Sequence, residues 1–303
     1  MKRTFTYIAM LLVAAGCTLD QKHEYDPDMQ LCFHPVMQVP TKVDVEENYP
    51  TGQPFAVSAW TLDKELPWSE NAAESDTYLS GATVVVNDED VWALPDKELW
   101  PSRDKRLTVI GYTPVEAFGE CSVEKGATCT YDMLNGQIDL LYTEPQTDLD
   151  KVECGGIMVM PFYHALAQIN FEVKNRVMKG EEIIIKSIKV DGVKHRGSFC
   201  SLPSPEWEVE DSETQHVFFD GEQKTANAPS EIGQTWNMIP QVLDTKVTVE
   251  YEYRTASNTG FTQTLKTCDM KTNLKPGRSY TYTITVGIDE VQFLLEIIED
   301  RFR

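Results

Sequence analysis

The residues able to do covalent or acid–base chemistry are seven cysteines and five histidines. The histidines, His23, His34, His164, His195 and His216, are scattered, with no HExxH pair for a zinc hydrolase and no close neighbour that would orient a general base. His164 stands just before an alternating segment, where closing a turn or packing at a junction suits it better than catalysis. No GxSxG, glycine-rich phosphate loop or calcium-loop spacing is present, so no catalytic residue, cofactor site or metal site is assigned. The acidic run at 208–213 has carboxylates without a defined ligand spacing and reads as a solvated loop. Beyond Cys17, the even set Cys32, Cys121, Cys129, Cys154, Cys200 and Cys268 permits disulfides in an exported protein, with buried free thiols as the alternative. Cys121 and Cys129 bracket VEKGAT, a hairpin tip, and are the best candidates for a pair. CxxC spacing for zinc is absent.

The first cysteine has a different context. Lys2 and Arg3 precede a short apolar run, residues 7–15, and the segment ends LVAAGC. Nine residues are too few to span a bilayer and fit the core of a secretory signal. Small residues before a cysteine resemble the bacterial lipoprotein signal: cleavage between Gly16 and Cys17 would leave Cys17 as the thiol that accepts lipid. No second hydrophobic span follows, so lipid alone would hold the mature chain to a membrane. The polar, acidic residues after Cys17 suit a tether and resemble the surface-export signal of Bacteroidetes lipoproteins.

The 303 residues carry 27 lysines and arginines against 48 acids, a formal charge of −21. Removing residues 1–16 takes away two cations and no acids, leaving −23. Such a surface is repelled by phosphate backbones, which argues against a nucleic-acid partner. It equally lacks a basic patch for anionic lipid.

The elements that must carry these residues read as strands. Residues 55–60, 81–86, 106–114 and 137–145 are short, β-branched or aromatic, and bounded by turn residues. Helical periodicity is scarce. From Ala167 the chain alternates, with Ala167, Ile169, Phe171 and Val173 on one face and Gln168, Asn170, Glu172 and Lys174 on the other. Preceded by Gly155-Gly156, this stretch is expected to open a second domain. Residues 182–193 are a further strand with Asp191-Gly192 as a hairpin signal. Val247, Val249, Tyr251 and Tyr253, then Tyr280, Tyr282, Ile284 and Val286, line apolar strand faces. Those tyrosines are therefore expected in the core, leaving Trp60, Trp68 and Trp92 as freer candidates for stacking on a sugar. Val291, Phe293, Leu295 and Ile297 alternate near the chain end, and a strand is favoured over a helix there. The expected fold is all-β and mostly antiparallel, with segments 1–16 (signal), 17–48 (lipidated tether and first strand region), 49–155 and 156–303 (two β-sandwiches).

Taken in order, FAVSAW, VWALPDKELWP, RLTVIGYTP, QIDLLY, PFYHALAQINFEV, IIIKSIKVDGV, NMIPQ and LKPGRSYTYTITV, behind the signal ending at Cys17, resemble the fimbrillin-like proteins of Bacteroidales, subunits of type V pili. The resemblance covers most of residues 50–288. It implies two tandem transthyretin-like sandwiches and a structural or adhesive role at the outer membrane or in a surface fimbrium. It also implies other subunits, or further copies of the chain, as partners through strand exchange. There a protease removes an N-terminal strand, and a terminal strand of a neighbour fills the groove. Residues 291–298 would be the donor or capping strand. The best-known members are cut after arginine, whereas here no arginine lies between Cys17 and Arg103, and Lys22 and Lys42 are the only lysines between Cys17 and residue 55. A host or bacterial surface glycan or protein is a candidate ligand, and a non-polymerising surface glycan-binding lipoprotein is the alternative reading.

Overall fold

A computed structural model describes residues 29–38, 47–288, 291–294 and 300–301. Gly16, Cys17, His23, Lys42, Leu295 and Ile297 lie outside the described residues. Among the described residues the chain is all-β apart from short helical turns at Trp68–Asn71, Ala72–Glu74 and Val115–Ala117.

The first half runs through β1 (Cys32–Met37), β2 (Glu47–Asn48), β3 (Phe55–Asp63), β4 (Asp76–Val86), β5 (Trp92–Ala93) and β6 (Lys105–Thr113). It continues with β7 (Phe118–Ser122), β8 (Gly126–Asp132), β9 (Leu141–Thr143), β10 (Gln146–Leu149) and β11 (Ile157–His164). The second half holds β12 (Ala167–Asn175), β13 (Glu182–Lys194), β14 (Arg196–Cys200), β15 (Glu206–Val209), β16 (Glu213–Lys224) and β17 (Ser230–Met238). It ends with β18 (Val242–Arg254), β19 (Thr262–Asn273), β20 (Arg278–Val286), β21 (Val291–Leu294) and β22 (Asp300–Arg301). Among the described strand pairs only β1–β11 and β12–β20 are parallel.

The first sheet closes on itself. Its order is β6-β3-β4-β5-β1-β11-β9, and β9 pairs back onto β6 through Tyr112↔Tyr142 and Thr113↔Leu141. Phe55, Val57, Leu107, Val109, Met158 and Phe162 fill this ring. The strand β3 is buried along its whole length except Asp63, as a central strand covered on both faces must be. In the second half, the sheet β17-β12-β20-β21 faces the sheet β16-β13-β18-β19 across a shared apolar layer. Phe171 of β12 stacks on Tyr282 of β20 at 5.6 Å and meets Phe218 of β16 at 5.0 Å. Tyr251 and Tyr282 are fully buried and Tyr280 nearly so, as their strand faces require.

Two findings change the expected division. The Gly155-Gly156 turn, both residues at positive φ, does not start the second unit; it sends β11 back to pair with β1 and β9. The sheets therefore change at Ala165-Leu166, between β11 and β12, and not at residue 156. A fourth sheet, β15-β14-β8-β7, then draws two strands from each half. Asp191-Gly192 is a bulge inside β13 and no hairpin turn: Gly192 takes φ +64° and the register to β16 shifts between Val190 and Val193. Of residues 137–145 only Leu141–Thr143 is strand.

Candidate assembly sites and a shared polar concavity

The strand nearest the N-terminus among the described residues is built as a seal. β1 lies parallel to β11 over six residue pairs, Cys32↔Ile157 to Met37↔Phe162, and antiparallel to β5 and β2. Leu31 is fully buried, and Phe33, Val36 and Met37 are 3%, 5% and 7% exposed. Phe33 meets Phe55 edge-on, and Tyr49 packs against Phe55, Trp92 and Phe162 beside it. Without β1 the ring would open between β5 and β11. Burying four such side chains is worth about 6–12 kcal/mol as an upper bound. That is the scale of a whole domain's stability, so an empty groove would be strongly destabilising. Sequence alternation hides this strand, because His34 is exposed while Pro35, Val36 and Met37 are all buried.

At the other end, β21 adds antiparallel to β20, with Val286↔Val291 and Thr283↔Leu294, and β22 pairs further along the same strand through Ser279↔Asp300. Strand forms over Val291–Leu294 of the expected segment and, among the described residues, lies on an edge of its sheet; Leu295 and Ile297 are outside the described residues.

The remaining candidates are dispersed. The imidazole of His164 sits at the end of β11 with Nδ1 3.0 Å from Asp139 Oδ1. His195 Nδ1 is 2.9 Å from Asp132 Oδ1, tying β8 to the start of β14. His216 is buried between Phe218 and Trp236, and burial, helped by nearby His195, holds its pKa below the ordinary value. Among the described residues no group of three or more His, Cys, Asp or Glu could hold a metal. Cys121 and Cys129 do lie on the facing strands β7 and β8, but a bulge sets Cys121 opposite Ala127 and Cys129 opposite Phe118. Both are free thiols in the structure, pushed up to about 12 by burial. Trp60 and Trp68 are buried against each other, and Trp92 is half-buried against Tyr49 and Phe55. All six tryptophans fall among the described residues; Trp60, Trp68 and Trp100 are buried, and Trp92, Trp207 and Trp236 are half-buried.

One concavity is not suggested by the sequence. About 1420 Å³ opens over the outer face of the shared sheet, walled by Glu116, Glu120, Glu124, Glu206 and Glu208 with Lys125. Its floor bears Thr128, Thr130, Ser198 and Cys200 in register, Ser198↔Thr130 and Cys200↔Thr128. The aromatic side chains of these strands serve the opposite face: Trp207 donates Nε1–H to Ala165 O at 2.8 Å and packs on Phe199 and Tyr131. No helix among the described residues is long and apolar enough to cross a membrane.

The described residues form a mostly antiparallel all-β fold, and comparison gives the family. The fimbrillin-like family profile matches residues 41–299, and the chain belongs to that family. In structure it is similar to a fimbrial protein from Bacteroides vulgatus, at 17% identity and a TM-score of 0.63, covering 80% of this chain and 92% of that one. It is also similar to a candidate cell adhesion protein from Bacteroides uniformis (11% identity, TM-score 0.57, 91% and 99% covered). Another such candidate, from Bacteroides ovatus, has 16% identity, a TM-score of 0.54, and 90% and 98% covered. At these identities the likeness is one of fold. No curated protein matches the chain.

Proposed function

We propose that this chain is a cell-surface lipoprotein subunit of a fimbrium, structural or adhesive, that assembles by β-strand exchange. The observation that supports this most is the placement of β1, a near-terminal strand whose removal would open a closed sheet between β5 and β11. Lipid on Cys17 would carry the precursor to the outer membrane, and a cut near Lys42 would sever β1 from the rest of the chain. The groove would then take a strand of the same length from a neighbour, with backbone hydrogen bonds giving affinity and alternate side chains filling the sites of Leu31, Phe33 and Met37. The terminal strand β21, held on one edge of β20, is the natural donor. A glycan-binding module is the weaker reading, since every tryptophan is buried or half-buried.

N-terminal sequencing and mass analysis of the protein at the cell surface test this. A mature chain beginning near residue 42 supports exchange. A chain that retains lipidated Cys17 together with β1 in every copy would contradict it and mark an anchor or stand-alone adhesin.

A further inference from the structure

Met29, the first described residue, is held at the rim of a second, smaller concavity. Its carbonyl accepts from Trp100 N–H at 3.0 Å, Leu31 N–H donates to Glu98 O at 2.8 Å, and Gln30 pairs antiparallel with Leu99 between them. Its side chain packs where Gly156 leaves room, since a Cβ there would lie 2.5 Å from Met29 Sδ. Trp100 and the turn through Lys151 and Val152 wall a cleft of about 220 Å³, together with Lys64, Arg103 and Lys105. Four cations, Lys64, Arg103, Lys105 and Lys151, face two acids, Asp150 and Glu153, in this lining. Over the whole chain acids outnumber cations 48 to 27, so the cleft reverses the prevailing sign. Part of that charge is buried: Lys151 is 6% exposed and Asp150 8%. Lys64 holds Asp150 at 2.6 Å, and Lys105 pairs with Asp63 at 2.8 Å. Arg103 is exposed at the lip.

We propose that the acidic segment just before Met29, Glu24-Tyr25-Asp26-Pro27-Asp28, docks in this cleft and latches β1 onto the first sheet. Glu24, Asp26 and Asp28 alternate, so an extended chain turns all three to one face at intervals of about 7 Å. Asp26 precedes a proline, which biases it to extended backbone. Continuing the register of Gln30 and Leu99 sets Asp28 opposite Pro101 and Asp26 opposite Arg103. Beyond that point the chain turns at Ser102, where Lys105 N–H donates to Ser102 O at 3.0 Å. Lys64 N–H bonds Asp104 O in the same turn at 2.8 Å, so Lys64 and Lys105 come next along the path for Glu24. The cleft is smaller than the ~300–1,000 Å³ typical of small-molecule sites, which suits a few carboxylate side chains better than a free ligand. The latch requires neither lipid on Cys17 nor strand exchange. On the exchange reading, a cut near Lys42 would release the acidic segment together with β1.

The test is zero-length carbodiimide cross-linking of the chain from residue 18, which keeps every described residue, followed by peptide mapping. Acids of residues 24–28 should join Lys64 or Lys105 of the same chain, with exposed Lys271 of β19 as the distant control. Raising salt to about 0.5 M should lower the yield. Arg103→Glu, at an exposed cation that the reagent does not couple, should lower it about two- to five-fold, and adding Asp26→Arg should restore it. Absence of a cross-link to Lys64 and Lys105, or equal yields at Lys271, would overturn the latch. So would an undiminished yield in Arg103→Glu, or a double variant that does not recover.

Discussion

Phe33 of β1 sets its ring edge-on to Phe55 of β3, with centroids 6.0 Å apart and planes at 88°. The contact joins the sealing strand to a strand buried along nearly its whole length, so β1 is energetically part of the first core even though it lies near one end of the chain. Phe33→Ala should therefore cost about 3–5 kcal/mol in urea unfolding. His34→Ala, exposed on the same strand, should change stability by no more than about 0.5 kcal/mol. Equal effects at the two positions would mean that β1 is not packed as described.

The turn between β7 and β8 locks the two halves together. Gly126 takes φ +63°, and a Cβ placed there would lie 2.2 Å from Ser201 Oγ. That hydroxyl accepts from Ala127 N at 2.9 Å, and Ser201 N donates to Ala127 O at 3.0 Å. Gly126→Ala combines left-handed strain with loss of this bond, a cost of about 2–3 kcal/mol. Thermal unfolding should show a Tm several degrees lower.

His216 gives the fold an acid sensitivity. Burial disfavours its charged form, so the unfolded chain, with an imidazole near 6.5, binds the proton more readily than the native one. Its contribution is present above pH 6.5 and is lost as pH falls below it. His216→Phe, which keeps an aromatic ring between Phe218 and Trp236, should lose less stability between pH 7 and pH 5 than the unmodified protein; identical pH profiles would refute this.

Cys129 is buried and Cys121 half-buried, and desolvation pushes both thiols up to about 12 against an ordinary 9.0. Alkylation requires the thiolate, so at pH 8 each should react roughly 1000-fold more slowly in the native protein than after denaturation. Burial favours the neutral form of both, so they support the fold below pH 9 and that support is lost as pH rises from 9 toward 12. Denatured mature chain should titrate all six thiols beyond Cys17; four would indicate one disulfide, with Cys121 and Cys129 the first pair to map.

Much of the fold was legible because several strands bury one face or both. β3, β6 and β12 match their apolar runs to within a few residues, and alternation at Ala167–Asn175 is reproduced as a strictly alternating burial pattern. Apart from β1, the strands that escaped notice are mainly polar ones. β16 and β19 bury few side chains, with His216 and Phe218 or Met270 and Thr272 facing inward, so periodicity has little to register. Asp191-Gly192 misled because a bulge and a two-residue hairpin both call for positive φ, and only long-range pairing decides between them. The shared sheet was invisible for the same reason: β8 and β14 are more than sixty residues apart, and nothing in either segment names the other.

Polymerisation of the trimmed chain tests strand exchange most directly. The chain starting at residue 47, lacking β1, should form ladders of SDS-resistant oligomers, while the chain from residue 18 stays monomeric. Deleting residues 291–303 from the trimmed chain should abolish the ladder. A trimmed chain that remains monomeric, or a ladder that persists without residues 291–303, would contradict assembly by exchange of this terminal strand into the β1 groove.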